Sequence, residues 1–232
     1  MLRQGRFAAL LVAFAALALL FSACTIVGSD AKVQMVPDPP AGTNSFVTSG
    51  FDDDYAQVAF TRGFTFTFFG TTYNSVYINT NGGVTFGAGT TVYHPQLSDM
   101  VLPGIAILWA DLDAGLSNPA NANGIDYQQF DDRFEITYTD LADHNDDTLL
   151  NTMKLTLYAD GTISMHYDTQ DSSTYVLLGV FDGNGGYTSA ALQSTYNAYS
   201  AGHGIYVFDA NDAGGTAPTQ NQLDGMTLTF NP

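Results

Sequence analysis

The chain has 232 residues and carries 23 acidic side chains against 6 Lys and Arg, for a formal net charge of −17 at pH 7. Such a surface repels phosphate backbones, which excludes a nucleic-acid role. Hydrophobic residues make up 45% of the chain, enough for one sizeable core, and its single cysteine permits no internal disulfide.

The opening residues MLRQGRF are basic at Arg3 and Arg6 and lead into an unbroken apolar run from Phe7 to Phe21. That order of charge and hydrophobicity marks a secretory signal, and the run is shorter than the about 20 residues of a spanning helix. It closes on Ser22 and Ala23, immediately before Cys24. The segment Phe21-Ser22-Ala23-Cys24 resembles the lipobox of bacterial lipoproteins, with Phe21 where leucine is usual. The resemblance implies cleavage before Cys24 and a lipid on its thiol, which would tether the protein to a membrane. Thr25 stands where aspartate would imply inner-membrane retention, so the likeness points to the outer membrane of a Gram-negative envelope. The alternatives are an ordinary signal with a chance cysteine and an uncleaved anchor. Residues 1–23 are therefore read as signal and 24–44, with three prolines and scattered Gly, Ser and Asp, as a flexible tether.

From residue 45 to 232 the recurring pattern has period two, rich in Phe, Tyr, Thr, Val and Ile, which predicts a single all-β domain. In GFTFTFFG, Phe64, Phe66 and Phe68 share one face. SVYINT and VTF flank Asn81-Gly82-Gly83, a tight-turn signal, because both residue types tolerate positive φ. IAILW, residues 105–109, is apolar on both faces and reads as a central, covered strand. IDYQQF and RFEITYT flank Asp131-Asp132, with Phe134, Ile136 and Tyr138 inward. TMKLTLYA and TISMHY flank Asp160-Gly161, so Met153, Leu155 and Leu157 face the side of Ile163, Met165 and Tyr167. YVLLGVF, GIYVF and MTLTF complete about ten strands of an antiparallel β-sandwich. The stretch 182–203 is irregular and reads as a long loop or one helical turn.

The run GFTFTFFGTTYNSVYINTNGGVTFG resembles the nidogen-like extracellular domain and its bacterial β-sandwich relatives at Phe68, Phe69, Gly70, Tyr73, Asn81, Gly82 and Phe86. The likeness continues through IAILWADLDAG, GIDYQQF, RFEITYTD and MKLTLYADGTISMHY, in matching order, over roughly residues 60–182. It leaves 183–232 outside. The resemblance implies a non-catalytic extracellular or surface module and offers no active site to carry over.

The residues themselves give no G-x-S-x-G elbow and no Cys/His zinc spacing. His94, His144, His166 and His203 stand apart, with His166 on an outward face. Oxygen donors at alternate positions after a strand suit calcium, which takes 6–8 oxygens in forgiving geometry. Asp111 and Asp113 follow the strand ending at Trp109, Asp182 and Asn184 follow a second, and Asp209, Asn211 and Asp212 a third. The competing reading is that Asp, Asn and Gly merely form turns. Asp52-Asp53-Asp54 and Asp143-His144-Asn145-Asp146-Asp147 read as solvated loops. Tyr187, Tyr196 and Tyr199, among Gly, Ser, Asn and Gln, either contact a glycan or protein or pack their loop on the sandwich.

Three functions follow, in this order. The first is a surface-anchored adhesion or binding module for a glycan or an envelope or matrix protein. The second is a structural or assembly protein of the envelope, and the third a polymer hydrolase using a pair such as Asp111 and Asp113.

Overall fold

The computed structural model of the protein describes residues 41, 44–46, 52–93, 96–114, 124–172, 175–199, 202–209 and 220–232. All of them belong to the compact unit Asp38–Pro232. Cys24, the signal and nearly all of the tether lie outside the described residues, as do His94, Gly115, Asn211 and Asp212.

The elements run β1 (Asn44–Phe46), β2 (Tyr55–Ala59), β3 (Phe66–Phe68), β4 (Thr71–Tyr73), β5 (Ser75–Asn79) and β6 (Gly83–Thr85). A short 3-10 turn (Leu97–Asp99) precedes β7 (Gly104–Trp109), β8 (Leu112–Asp113), β9 (Ile125–Gln129), β10 (Arg133–Asp143) and β11 (Asp146–Tyr158). Then come β12 (Ile163–Thr169), β13 (Leu177–Phe181), β14 (Thr188–Ser189), β15 (Thr195–Tyr196), β16 (Gly204–Asp209) and β17 (Thr227–Phe230). One sheet has the order β1-β9-β10-β11-β12-β17-β15, with β8 also on β10. The other has the order β14-β16-β13-β7-β6-β5-β2, and β3-β4 forms a separate hairpin.

The alternation read from the sequence explains the core. Phe134, Ile136 and Tyr138 of β10 are buried, as are Met153, Leu155 and Leu157 of β11 and Ile163, Met165 and Tyr167 of β12. In the β11–β12 ladder Met153 faces Tyr167, Leu155 faces Met165 and Leu157 faces Ile163. A one-residue slip would turn all six toward solvent, so burial fixes this register. Gly161 takes φ +92° in the connecting turn, a conformation that side-chain-bearing residues rarely adopt. Phe64, Phe66 and Phe68 are likewise buried; Phe66 stacks on Phe86, and Phe68 lies tilted against it.

β7 lies between β6 and β13 and is buried at every position. On its inner side Ile105 and Ile107 join the main core, and on its outer side Ala106 and Trp109 pack with Met100, Leu177 and Phe181. The indole N–H of Trp109 donates to the carbonyl of Val92 at 2.8 Å, so the segment before β7 covers that outer face. Full cover accounts for the two-sided apolar pattern of IAILW.

Two features differ from the sequence expectation. The 182–203 stretch carries β14 and β15, which pair parallel with β16 and β17, so among the described residues the sandwich is antiparallel except at these two places. The first paired strand begins at Asn44, one residue before the expected boundary at 45. Strands of two or three residues are too short to show periodicity, which also explains why the strands outnumber the expected ten. No helix among the described residues is long and apolar enough to cross a membrane.

Candidate functional site

Side chains of three separate loops meet at the C-terminal end of β7. One ligand atom from each of Asp52, Asp111 and His144 lies within 4.8 Å of the others. Asp113 joins the edge of this group, with its carboxylate 3.8 Å from His144 Nδ1.

Local structure brings these residues together. β7 leaves one sheet at Trp109, and three residues later β8 enters the other sheet by pairing with the end of β10. The backbone N–H of His144, in the β10–β11 turn, donates to the Asp111 carbonyl at 2.8 Å. Asn81, fully buried in the turn before β6, ties the remaining segments together. Its Oδ1 accepts from the Leu112 backbone at 2.8 Å and its Nδ2 donates to Asp53 Oδ1 at 3.1 Å. Asn81 therefore holds the neighbours of both Asp52 and Asp111. The local sequence marks Asn81 as a turn former; its side-chain role depends on which loops the fold places over it.

The site's electrostatics follow from its charges. The Asp52 carboxyl is raised above its ordinary value, first by desolvation and then by the Asp53 and Asp113 carboxylates, with His144 acting in the opposite direction. A bound cation would relieve that crowding.

Of the expected pair, Asp111 lies in the three-residue group and Asp113 stands at its edge, beside His144. Asp52 and His144 complete the group around Asp111. Both come from segments expected to be solvated loops, and both are exposed as expected; the expectation fails at Asp143. Its carboxylate is buried and accepts from Ser172 Oγ at 2.9 Å and from the Asn145 backbone at 3.0 Å. The imidazole of His144 also alters the chemistry: calcium prefers oxygen alone, whereas a nitrogen donor favours first-row metals.

Asp182 and Asn184 sit at the opposite end of the same sheet, because β13 runs antiparallel to β7. Three N–H groups face the Asp182 carboxylate: the Asn184 backbone at 2.9 Å, Asn184 Nδ2 at 3.2 Å and His203 Nδ1 at 3.3 Å. A cation there would meet donor hydrogens, so this pair is not arranged as an ion's ligands. Asp209 ends β16, and its companions Asn211 and Asp212 lie outside the described residues.

The three tyrosines pack their segment onto the sandwich. Tyr196 and Tyr199 are 2% and 1% exposed, so neither ring is offered to a ligand. Tyr196 stacks on Phe230 and donates to the Ala191 carbonyl, while Tyr199 donates to the Gly161 carbonyl at 2.7 Å. Tyr187 lies edge-on to Phe181, and its hydroxyl donates to the Met100 carbonyl. His166, as expected, is on an outward position, between Thr227 and Asp168.

Compared with known families, the NIDO-related family model matches residues 35–232. The chain belongs to the NIDO-related family. The match extends past residue 182 to the C-terminus, so the segment that the sequence likeness left outside is part of the NIDO-related domain. No curated protein and no solved structure matches the chain.

Proposed function

We propose that this NIDO-related protein is an exported, lipid-anchored binding module of the cell envelope, held to the outer membrane through Cys24. In this reading the sandwich is a rigid non-catalytic scaffold whose loop ends engage a glycan or an envelope or matrix protein. The observation that carries it is the placement of polar side chains at the two ends of the covered strand β7, with Asp111 just beyond one end and Asp182 beside the other. Rigid strand ends are good platforms for recognition, because the loops they position need little further ordering on binding.

The group Asp52, Asp111 and His144 serves in the same reading as a divalent-cation site that fixes the loop end. Calcium is the ion the oxygen donors suit; the histidine favours a first-row metal such as zinc or manganese.

The test is a glycan and protein array probed with the full chain in a detergent without a sugar headgroup, with added calcium, with added zinc and with chelator. Reproducible binding to a defined glycan or protein supports the proposal. Failure to bind any member of arrays covering envelope glycans and matrix proteins contradicts it.

A further inference from the structure

The two large sheets end in four edge strands, β1 and β15 in one and β14 and β2 in the other. An open edge presents main-chain N–H and C=O groups that can pair with another chain, and folds guard it with short strands, bulges, proline or charge. Three of these edges are guarded by brevity, since β1 has three residues and β14 and β15 have two each. β2 carries none of these guards. Its five residues, Tyr55-Ala56-Gln57-Val58-Ala59, include no proline and no charge. Their register with β5 runs from Tyr55 opposite Asn79 to Ala59 opposite Ser75 without a bulge, and among the described residues β2 pairs with no other strand.

The ladder shows which groups face outward, because antiparallel bonding alternates along a strand. The Thr80 amide donates to the Asp54 carbonyl and the Phe60 amide to that of Asn74. These two bonds bracket β2. Its even-numbered residues therefore bond to β5, and the main-chain groups of Tyr55, Gln57 and Ala59 point away from it. All three residues are exposed. The Tyr55 amide donates to its neighbour Asp54 Oδ1 at 2.8 Å, so the outward array centres on Gln57 and Ala59.

The charges at the two ends of β2 select the partner. Asp52, Asp53 and Asp54 precede the strand, and Arg62, the only Lys or Arg between residues 33 and 132, follows it. Asp131 touches the Arg62 guanidinium, whose several N–H groups can serve a second carboxylate as well. Two copies of β2 set antiparallel about Gln57 would pair Gln57 with Gln57 and Tyr55 with Ala59, all from the outward-bonding set. The same register puts Asp54 opposite Phe60 of the second copy and brings the Asp52–Asp54 run to the Arg62 turn, twice by symmetry. A parallel arrangement would set the acidic runs against each other.

We infer that β2 is a self-association edge, where a second copy of this chain joins antiparallel about Gln57 and the two sheets become one. The inference goes beyond the binding-module reading and does not depend on it.

Light scattering on the full chain in detergent, corrected for bound detergent, tests this. Wild type should have twice the mass of one chain. Gln57→Pro removes an N–H that points away from β5, so the internal ladder stays whole and the variant should be monomeric. Gln57→Glu places like charges face to face at the axis and should weaken the dimer severalfold. Both should keep the wild-type circular-dichroism spectrum. Oxidation of Gln57→Cys in intact envelopes should give a band at twice the chain mass, because directly paired residues lie about 5.5 Å apart, within disulfide reach. Ala59→Cys, which pairs with Tyr55 and not with itself, should give no more than wild type. Monomeric wild type overturns the inference, as does a dimer of undiminished strength in Gln57→Glu, the variant that decides if Gln57→Pro fails to fold. Absence of the Gln57→Cys band, or cross-links only to chains of another mass, overturns it too; the latter would assign the edge to a different protein.

Discussion

The hydroxyl of Tyr167, in one sheet, donates to the carbonyl of Ile107, in the other, at 2.6 Å. Ile107 sits mid-strand in β7, so this bond ties the covered strand to the opposite face of the sandwich. Tyr138 makes a similar tie, donating to the carbonyl of Gly83 at 3.1 Å. Tyr167→Phe leaves the Ile107 carbonyl without this donor in a fully buried site and should cost about 1–2 kcal/mol, read as a lower urea midpoint at unchanged slope.

These phenols also set the alkaline limit of the fold. Burial raises the pKa of both Tyr138 and Tyr167 far above the ordinary value, with Tyr196 adding to the shift at Tyr167. The unfolded chain then ionises first. Stability is fully present below the unfolded phenol value of about 10 and falls above it, by about 1.4 kcal/mol per pH unit for each tyrosine. Unfolding free energies at pH 9, 10 and 11 check this; a flat profile through pH 11 contradicts it.

Gly161 holds φ +92° between β11 and β12, and a Cβ there would also lie 3.2 Å from Pro232 Cγ. Gly161→Val should destabilise by about 1 kcal/mol or more through backbone strain. Because Tyr199 donates to the Gly161 carbonyl, the same variant should shift the Tyr199 near-ultraviolet signal.

Asn151 is fully buried and satisfies four groups: it accepts from the Asp171 and Ser172 backbones and donates to the Leu141 carbonyl and Ser172 Oγ. Asn151→Leu has similar volume but orphans those partners. A loss of at least about 2 kcal/mol is expected in chemical denaturation, larger than for a typical core substitution of equal size.

At the Asp52, Asp111 and His144 group, millimolar calcium and micromolar zinc should each raise the melting temperature. Asp111→Asn should abolish both responses. His144→Ala should abolish the zinc response and spare most of the calcium response, since only the zinc set needs the imidazole. A melting curve unmoved by either ion would return these side chains to solvated turn residues.

Much of the fold was legible because burial imposes a period of two. The inward rows of β10, β11 and β12 and the turn at Gly161 follow directly from alternation and turn chemistry. The covered strand was legible too, since an apolar residue at every position from Ile105 to Trp109 admits no exposed face. The site was less legible. Asp111 was visible as an acid after a strand, but Asp52 lies 59 residues before it and His144 33 residues after it, and no local pattern encodes such a meeting. Asn81 was recognised for its turn and not for its side-chain bonds to loops distant in sequence. Tyr196 and Tyr199 read ambiguously, because a buried tyrosine with a bonded hydroxyl has the same local composition as an exposed one.

The most direct test of the account is labelling of the wild-type protein and Cys24→Ala with radioactive palmitate, followed by membrane fractionation. Wild type should take up label and remain with the outer membrane, while Cys24→Ala should be unlabelled and either leave the membrane fraction or keep its signal uncleaved. A Cys24→Ala protein that is processed and membrane-bound like wild type would contradict the anchored-module account.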